Sequence, residues 1–166
     1  LPISDKAKAK VEDSNNRLAS VVLTLMFSTW MNIAHNSTMT RDDFQGIDLF
    51  QKCIEALKTP SGEWVDDKQV LIDASRFYAC CSEKQILSTK DDFEIIFPLV
   101  VECISNCPED CFHSGLFELV KDGHSLLEKS FIQSSGIVGA VAAAWESGGV
   151  DESAKGAFYQ LLKELL

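Results

Sequence analysis

The sequence predicts an all-α protein, about eight short-to-medium helices forming a half-shell or bundle in a single domain over residues 1–166. Three observations carry this. Apolar residues recur at steps of three and four along most of the chain. No run of alternating apolar and polar residues lasts long enough to make a strand. Capping residues, prolines and glycines punctuate the chain at helix-length intervals.

Length and composition agree with one globular domain: 166 residues, 46% hydrophobic and 24% charged. A chain of this size buries enough surface to fold without a metal or disulfide staple. The net charge of −10 and the lack of a basic patch argue against nucleic acid, whose phosphates are bound by Lys and Arg. The longest apolar stretch, Val21 to Phe27, is interrupted by Thr24 and ends at Ser28. That falls short of the roughly 20 residues of a bilayer span, so a soluble, not membrane-spanning, chain is expected. The opening Leu1-Pro2-Ile3-Ser4 without methionine reads as a processed or trimmed product.

The first helix is expected from Ser4 or Asp5 to about Ala34. Val11, Leu18, Val21/Val22, Leu25/Met26, Trp30 and Ile33 make a widening apolar stripe. Its first half is polar and exposed, whereas Leu18–Ile33 is apolar over most of its circumference and is expected to be central. Thr40-Arg41-Asp42-Asp43-Phe44 and Thr89-Lys90-Asp91-Asp92-Phe93 share the pattern T-[RK]-D-D-F. In each, Thr serves as N-cap, the acidic pair sits at the positive end of the helix dipole, and Phe begins the buried face. After the first start, Phe44, Ile47, Phe50, Ile54 and Leu57 trace one helix that ends near Lys58, before Thr59-Pro60-Ser61-Gly62.

Asp66 or Asp67 opens the third helix, with Val70, Leu71, Ala74, Phe77/Tyr78 and Cys81 inward. Ser88 or Thr89 caps the fourth, which runs to about Ile104, with a kink expected at Pro98. Pro108-Glu109-Asp110 starts a fifth that continues through Val120 and ends at Gly123. A short sixth covers Leu126 to Phe131. Gly136–Ala144 forms a small-residue helix closed by Gly148-Gly149, and Asp151 opens the last. Gly115, Gly123 and Gly136 fall at the expected helix ends, where left-handed caps favour glycine.

Catalytic signals are sparse. His35, His113 and His124 stand apart, with no metalloprotease helix, nucleophile elbow or phosphate loop. The chain is therefore read as non-enzymatic. An enzyme with dispersed groups would draw its acid–base residues from His113 and His124. Cys103, Cys107 and Cys111 are four apart, but Pro108 interrupts their face and no histidine stands at ligand spacing. Packing thiols or a local disulfide are expected there, and no metal. Asp73 and Arg76 read as a surface ion pair, and Asn36-Ser37-Thr38 as a polar loop. The tryptophans, tyrosines and ten phenylalanines read as core, or as the wall of an apolar cavity for a large hydrophobic ligand.

Three stretches carry a family resemblance: Leu18-Ala19-Ser20 with Phe27-Ser28-Thr29-Trp30, Leu87 to Phe93 leading to Ile104 and Pro108, and Asp151 to Lys163 with Ala157-Phe158-Tyr159. In their order and spacing the chain resembles one repeat of the peridinin–chlorophyll a proteins, the water-soluble light-harvesting antennae of dinoflagellates. The resemblance implies a helical half-shell in the thylakoid lumen of a plastid, holding chlorophyll a and peridinin in a dry cavity. It implies as partners a hydrophobic pigment or lipid, and another copy of the chain or photosystem and antenna subunits. Trp30, Phe77, Phe93 and Phe158 are then the candidate pigment-wall residues. Tyr78 falls where the family carries a histidine pair that anchors magnesium through water, and a phenol accepts less well than imidazole. The anchoring role is not carried over. Bulkier Ile, Phe and Cys replace the family's alanines, so a pigment-poor accessory subunit of a photosynthetic complex is equally implied. The other reading is a secreted helical assembly or dimerisation module without cofactor, like the N-terminal domains of spider silk proteins, which share a capped acidic helix start.

Overall fold

Ser4 accepts a hydrogen bond from the Ala7 amide and starts a 32-residue helix, the longest in the protein. The computed structural model describes residues 4–45, 48–113, 115–148 and 150–166, with the side chains of residues 11 and 111–113 outside that description. Ile47 and Gly149, and the side chains of Val11, Cys111 and His113, therefore lie outside the described residues.

Among these residues the chain is all-α, with ten helices: α1 (Asp5–Asn36), α2 (Arg41–Gln45), α3 (Leu49–Ala56), α4 (Lys68–Glu83), α5 (Lys90–Asn106), α6 (Pro108–His113), α7 (Leu116–Leu126), α8 (Lys129–Ser134), α9 (Ile137–Glu146) and α10 (Glu152–Leu165). The two extra helices come from splits. Asp48 adopts a left-handed conformation (φ 50°) and separates α2 from α3. Aspartate tolerates that region better than most side chains. The expected fifth helix is likewise two, because Gly115 (φ 77°) turns the chain between α6 and α7.

Gly123 is not a helix end. It lies inside α7, where a Cβ would stand 2.8 Å from Phe93 Cδ1 and 3.0 Å from Phe97 Cε2. Its missing side chain lets α7 lie close against the rings of α5.

α5 is the hub, packing against α3, α4, α6, α7 and α9, and it continues through Pro98 to Asn106. Its apolar face, Phe93, Ile96, Phe97, Val100 and Ile104, is buried. Small-residue α9 lies between α5 and α10. One contiguous apolar cluster joins residues from α1 through α10. α1 packs along α4 at the edge of this assembly.

The capping expectations are met at Asp67, Asp151 and Thr89, but not at Thr40, whose hydroxyl donates to Asp43 instead of accepting from a first-turn amide. Asp67 accepts from the Val70 amide, and Asp151 from the Ala154 amide. Thr89 and Asp92 form a capping box, while Asp43 accepts from the amide and the hydroxyl of Thr40. Those contacts hold the Asp43 carboxyl below its usual range, the backbone amide contributing most. The two matching starts also touch: Arg41 of the first grips Asp92 and Thr89 of the second.

The second half of α1 is not central. Phe27 and Ala34 are buried against the body, but Leu18, Val21, Val22 and Leu25 are 64%, 55%, 55% and 62% exposed. Hydrophobic periodicity marks apolar faces but does not say which of them the rest of the chain covers. α1 is also, among the described helices, the one long and apolar enough by length and composition to cross a membrane, with a window of mean hydropathy 1.3. Counting its apolar residues as one interrupted run understated this.

Candidate functional site

Among the described residues, none of the main cavities is lined by more than one of the expected pigment-wall residues. Phe77 and Tyr78 belong to a chain of rings that ties four helices together. It runs from Phe27 to Phe77 (6.0 Å), Phe77 to Phe50 (6.4 Å), Phe50 to Phe44 (6.2 Å) and Phe44 to Trp30 (6.0 Å). Tyr78 packs at 5.0 Å on Phe77 and donates its hydroxyl to the Phe50 carbonyl at 2.8 Å. That hydroxyl is fully buried, and burial pushes its pKa well up. Trp30 is half-buried over Phe44.

The other two candidates lie elsewhere in the core. Phe93 is buried against Gly123, and Phe158 meets Phe117 edge-on at 4.7 Å. Bulky rings at close spacing fill the interior against each other. Four of these residues belong to the one core cluster and Trp30 packs against it, Phe93 and Phe158 lying away from the ring chain.

Two surface features stand out among the described residues. The first is the outward stripe Leu18, Val21, Val22 and Leu25. At about 3.6 residues per turn these four share one face of α1, opposite Phe27 and Ala34. The stripe continues through exposed Thr29 and Asn32.

The second feature is a cleft of about 640 Å³ between the C-terminal part of α1, α4 and α7. Met31, Ala79 and Leu119 supply apolar lining, His35 a polar ring, and Arg76, Glu83, Glu118 and Asp122 supply charge. Asp122 is held by the Ser82 hydroxyl at 2.7 Å, while Arg76 leans toward Asp73 at 3.8 Å. Acidic groups outnumber cationic ones around the cleft. Asn32 belongs both to the stripe and to the cleft, so the two are continuous.

Cys80 lines the same cleft and is only half-buried. Its thiol is pushed up by burial and by Glu83, with Lys84 opposing. Cys53, Cys81 and Cys103 are buried free thiols. Burial alone takes Cys53 to about 12, and Cys103 is raised chiefly by a hydrogen bond with Cys107. These thiols pack, with Cys103 also donating weakly to the Leu71 carbonyl. No group of three or more metal-ligating side chains occurs among the described residues.

Sequence reasoning missed the stripe and the cleft for different reasons. The stripe was visible as periodicity but was assigned to the interior. The cleft draws on residues from positions 31 to 122, which no local pattern connects. No known family, curated protein or solved structure matches this chain.

Proposed function

We propose that this protein is a non-catalytic helical assembly subunit that docks through the outer face of α1. Its setting is that of a pigment-poor accessory subunit of a photosynthetic complex, as its likeness to the peridinin–chlorophyll proteins implies. The single observation that carries the reading is the exposed Leu18–Val21–Val22–Leu25 stripe on a helix whose opposite face is anchored in the core. Contiguous apolar patches on an otherwise charged surface mark interaction sites, because water excluded from them on contact drives association. The packed ring chain supports the pigment-poor form over the antenna form, since its aromatic residues contact each other.

Native purification followed by sedimentation and absorption spectroscopy tests this. The chain is expected in a fraction heavier than its own 18.4 kDa, without carotenoid or chlorophyll bands in the free chain. Val22→Asp is expected to release it from that fraction with its helical content retained. Stoichiometric pigment on the free chain would favour the antenna function instead. A wild-type chain that sediments alone would remove the docking role.

A further inference from the structure

We infer that the occupant of this face is a second copy of the chain, seated by antiparallel pairing of the two α1 helices. The inference rests on the docking reading and adds the partner's identity and register. A two-fold axis between positions 21 and 22 sets Leu18 against the partner's Leu25 and Val21 against the partner's Val22, so the stripe covers itself. The two rods then overlap along about 45 Å.

Charge complementarity selects this partner. Lys6, Lys10 and Arg17 lie on one flank of α1, the same flank that carries His35 beside the acidic cleft; Arg17 is paired there with Asp13 at 2.9 Å, which leaves the two lysines to face a partner. In an antiparallel pair, each flank meets the partner's same flank. The register places Lys10 level with the partner's Ile33 and Lys6 level with the partner's Ser37, each about 17–23 Å from the axis. Both ammonium groups then approach the partner's cleft, whose lining includes Glu83, Glu118 and Asp122. The polar first half of α1, whose described side chains are exposed, thereby acquires a function.

A lipid surface suits the face less well. Glu83, Glu118 and Asp122 stand beside the stripe, and the chain carries a net charge of −10, both repelling anionic headgroups. Crossing a membrane would require Phe27 and Ala34 to leave α4.

Sedimentation equilibrium of the purified chain tests the inference. Wild type is expected to be a dimer at micromolar concentration, and Val22→Asp a monomer with an unchanged circular-dichroism spectrum. Lys6→Glu with Lys10→Glu is expected to weaken the dimer about tenfold or more, and adding Glu83→Lys with Glu118→Lys to restore it. A dimer indifferent to Val22→Asp or to the charge swap overturns this interface. If wild type is monomeric but Val22→Asp still releases the chain from a larger native assembly, docking stands and the second copy is excluded. If Val22→Asp changes neither, both fall. Flotation of wild type, but not of Val22→Asp, with phosphatidylcholine or phosphatidylglycerol vesicles would assign the face to lipid and overturn the inference.

Discussion

Arg41 and Asp92, 51 positions apart, form a two-pronged ion pair that joins the starts of α2 and α5. Arg41 Nη2 lies 2.9 Å from Asp92 Oδ1, and Nε lies 3.2 Å from Oδ2. Asp92 is buried and also accepts from the Ser88 and Thr89 amides, so one carboxylate serves as helix cap and as tertiary anchor. The planar guanidinium suits this arrangement, as a lysine would not, because its fork presents two parallel donors to one carboxylate.

Arg41→Lys and Arg41→Ala are therefore both expected to destabilise the fold, Arg41→Ala by about 2 kcal/mol. Asp92→Ala is expected to cost more, since it also frees two backbone amides. Urea denaturation of both single variants and the double variant checks the coupling. The double variant is expected to lose less than the sum of the singles.

Gly123→Ala brings a Cβ within 2.8 Å of the Phe93 ring and is expected to cost about 1–3 kcal/mol through overpacking. Phe93→Leu in the same chain is expected to recover part of that loss. Thermal melting of the single and double variants measures it.

Tyr78→Phe removes the donor to the Phe50 carbonyl and leaves that acceptor buried, an expected loss of about 1–2 kcal/mol. Phe77→Ala, which opens the centre of the ring chain, is expected to cost about 3–5 kcal/mol. Chemical denaturation ranks the two.

Alkaline pH is expected to destabilise the protein from about pH 9 upward. Cys53 has an ordinary value of 9.0 and is raised to about 12 by burial, while Cys81, Cys103 and Tyr78 are also raised. Between the unfolded and folded values the unfolded chain has lost protons that the folded chain keeps, so stability falls as pH rises. Below pH 9 their contribution is fully present. Cys53→Ala is expected to flatten the melting temperature's decline between pH 9 and 11, whatever its effect at pH 7.

The same burial orders the thiols by reactivity. Cys80, half-buried at the cleft, is expected to be alkylated by iodoacetamide well before Cys53, Cys81 and Cys103, as read by peptide mapping. Equal labelling of all four in the native protein would contradict the packing described.

Where the sequence was legible, the signal was local. Thr89 and Asp92 declare a helix start through side chains three residues apart, and the structure shows that capping box. Asp67 and Asp151 are read the same way. Gly123 misleads because a glycine that ends a helix and one that admits a neighbouring ring look identical in a single chain. Asp48 hides a helix break because its left-handed turn carries no glycine or proline at that position. The reach of Arg41 to Asp92 depends on tertiary placement, which the shared pentapeptide hinted at without specifying. For α1, apolar residues occupy two opposing arcs, and only the fold reveals which arc faces α4 and which is left exposed.

Photo-crosslinking from Leu18 in natively purified protein asks whether the outer face of α1 meets a second chain. With p-benzoylphenylalanine at Leu18, a protein adduct at twice the chain mass is expected, and none from the same group at exposed Glu152 on α10. Labelling at Leu18 that yields only water or lipid products would show that the outer face of α1 has no protein partner.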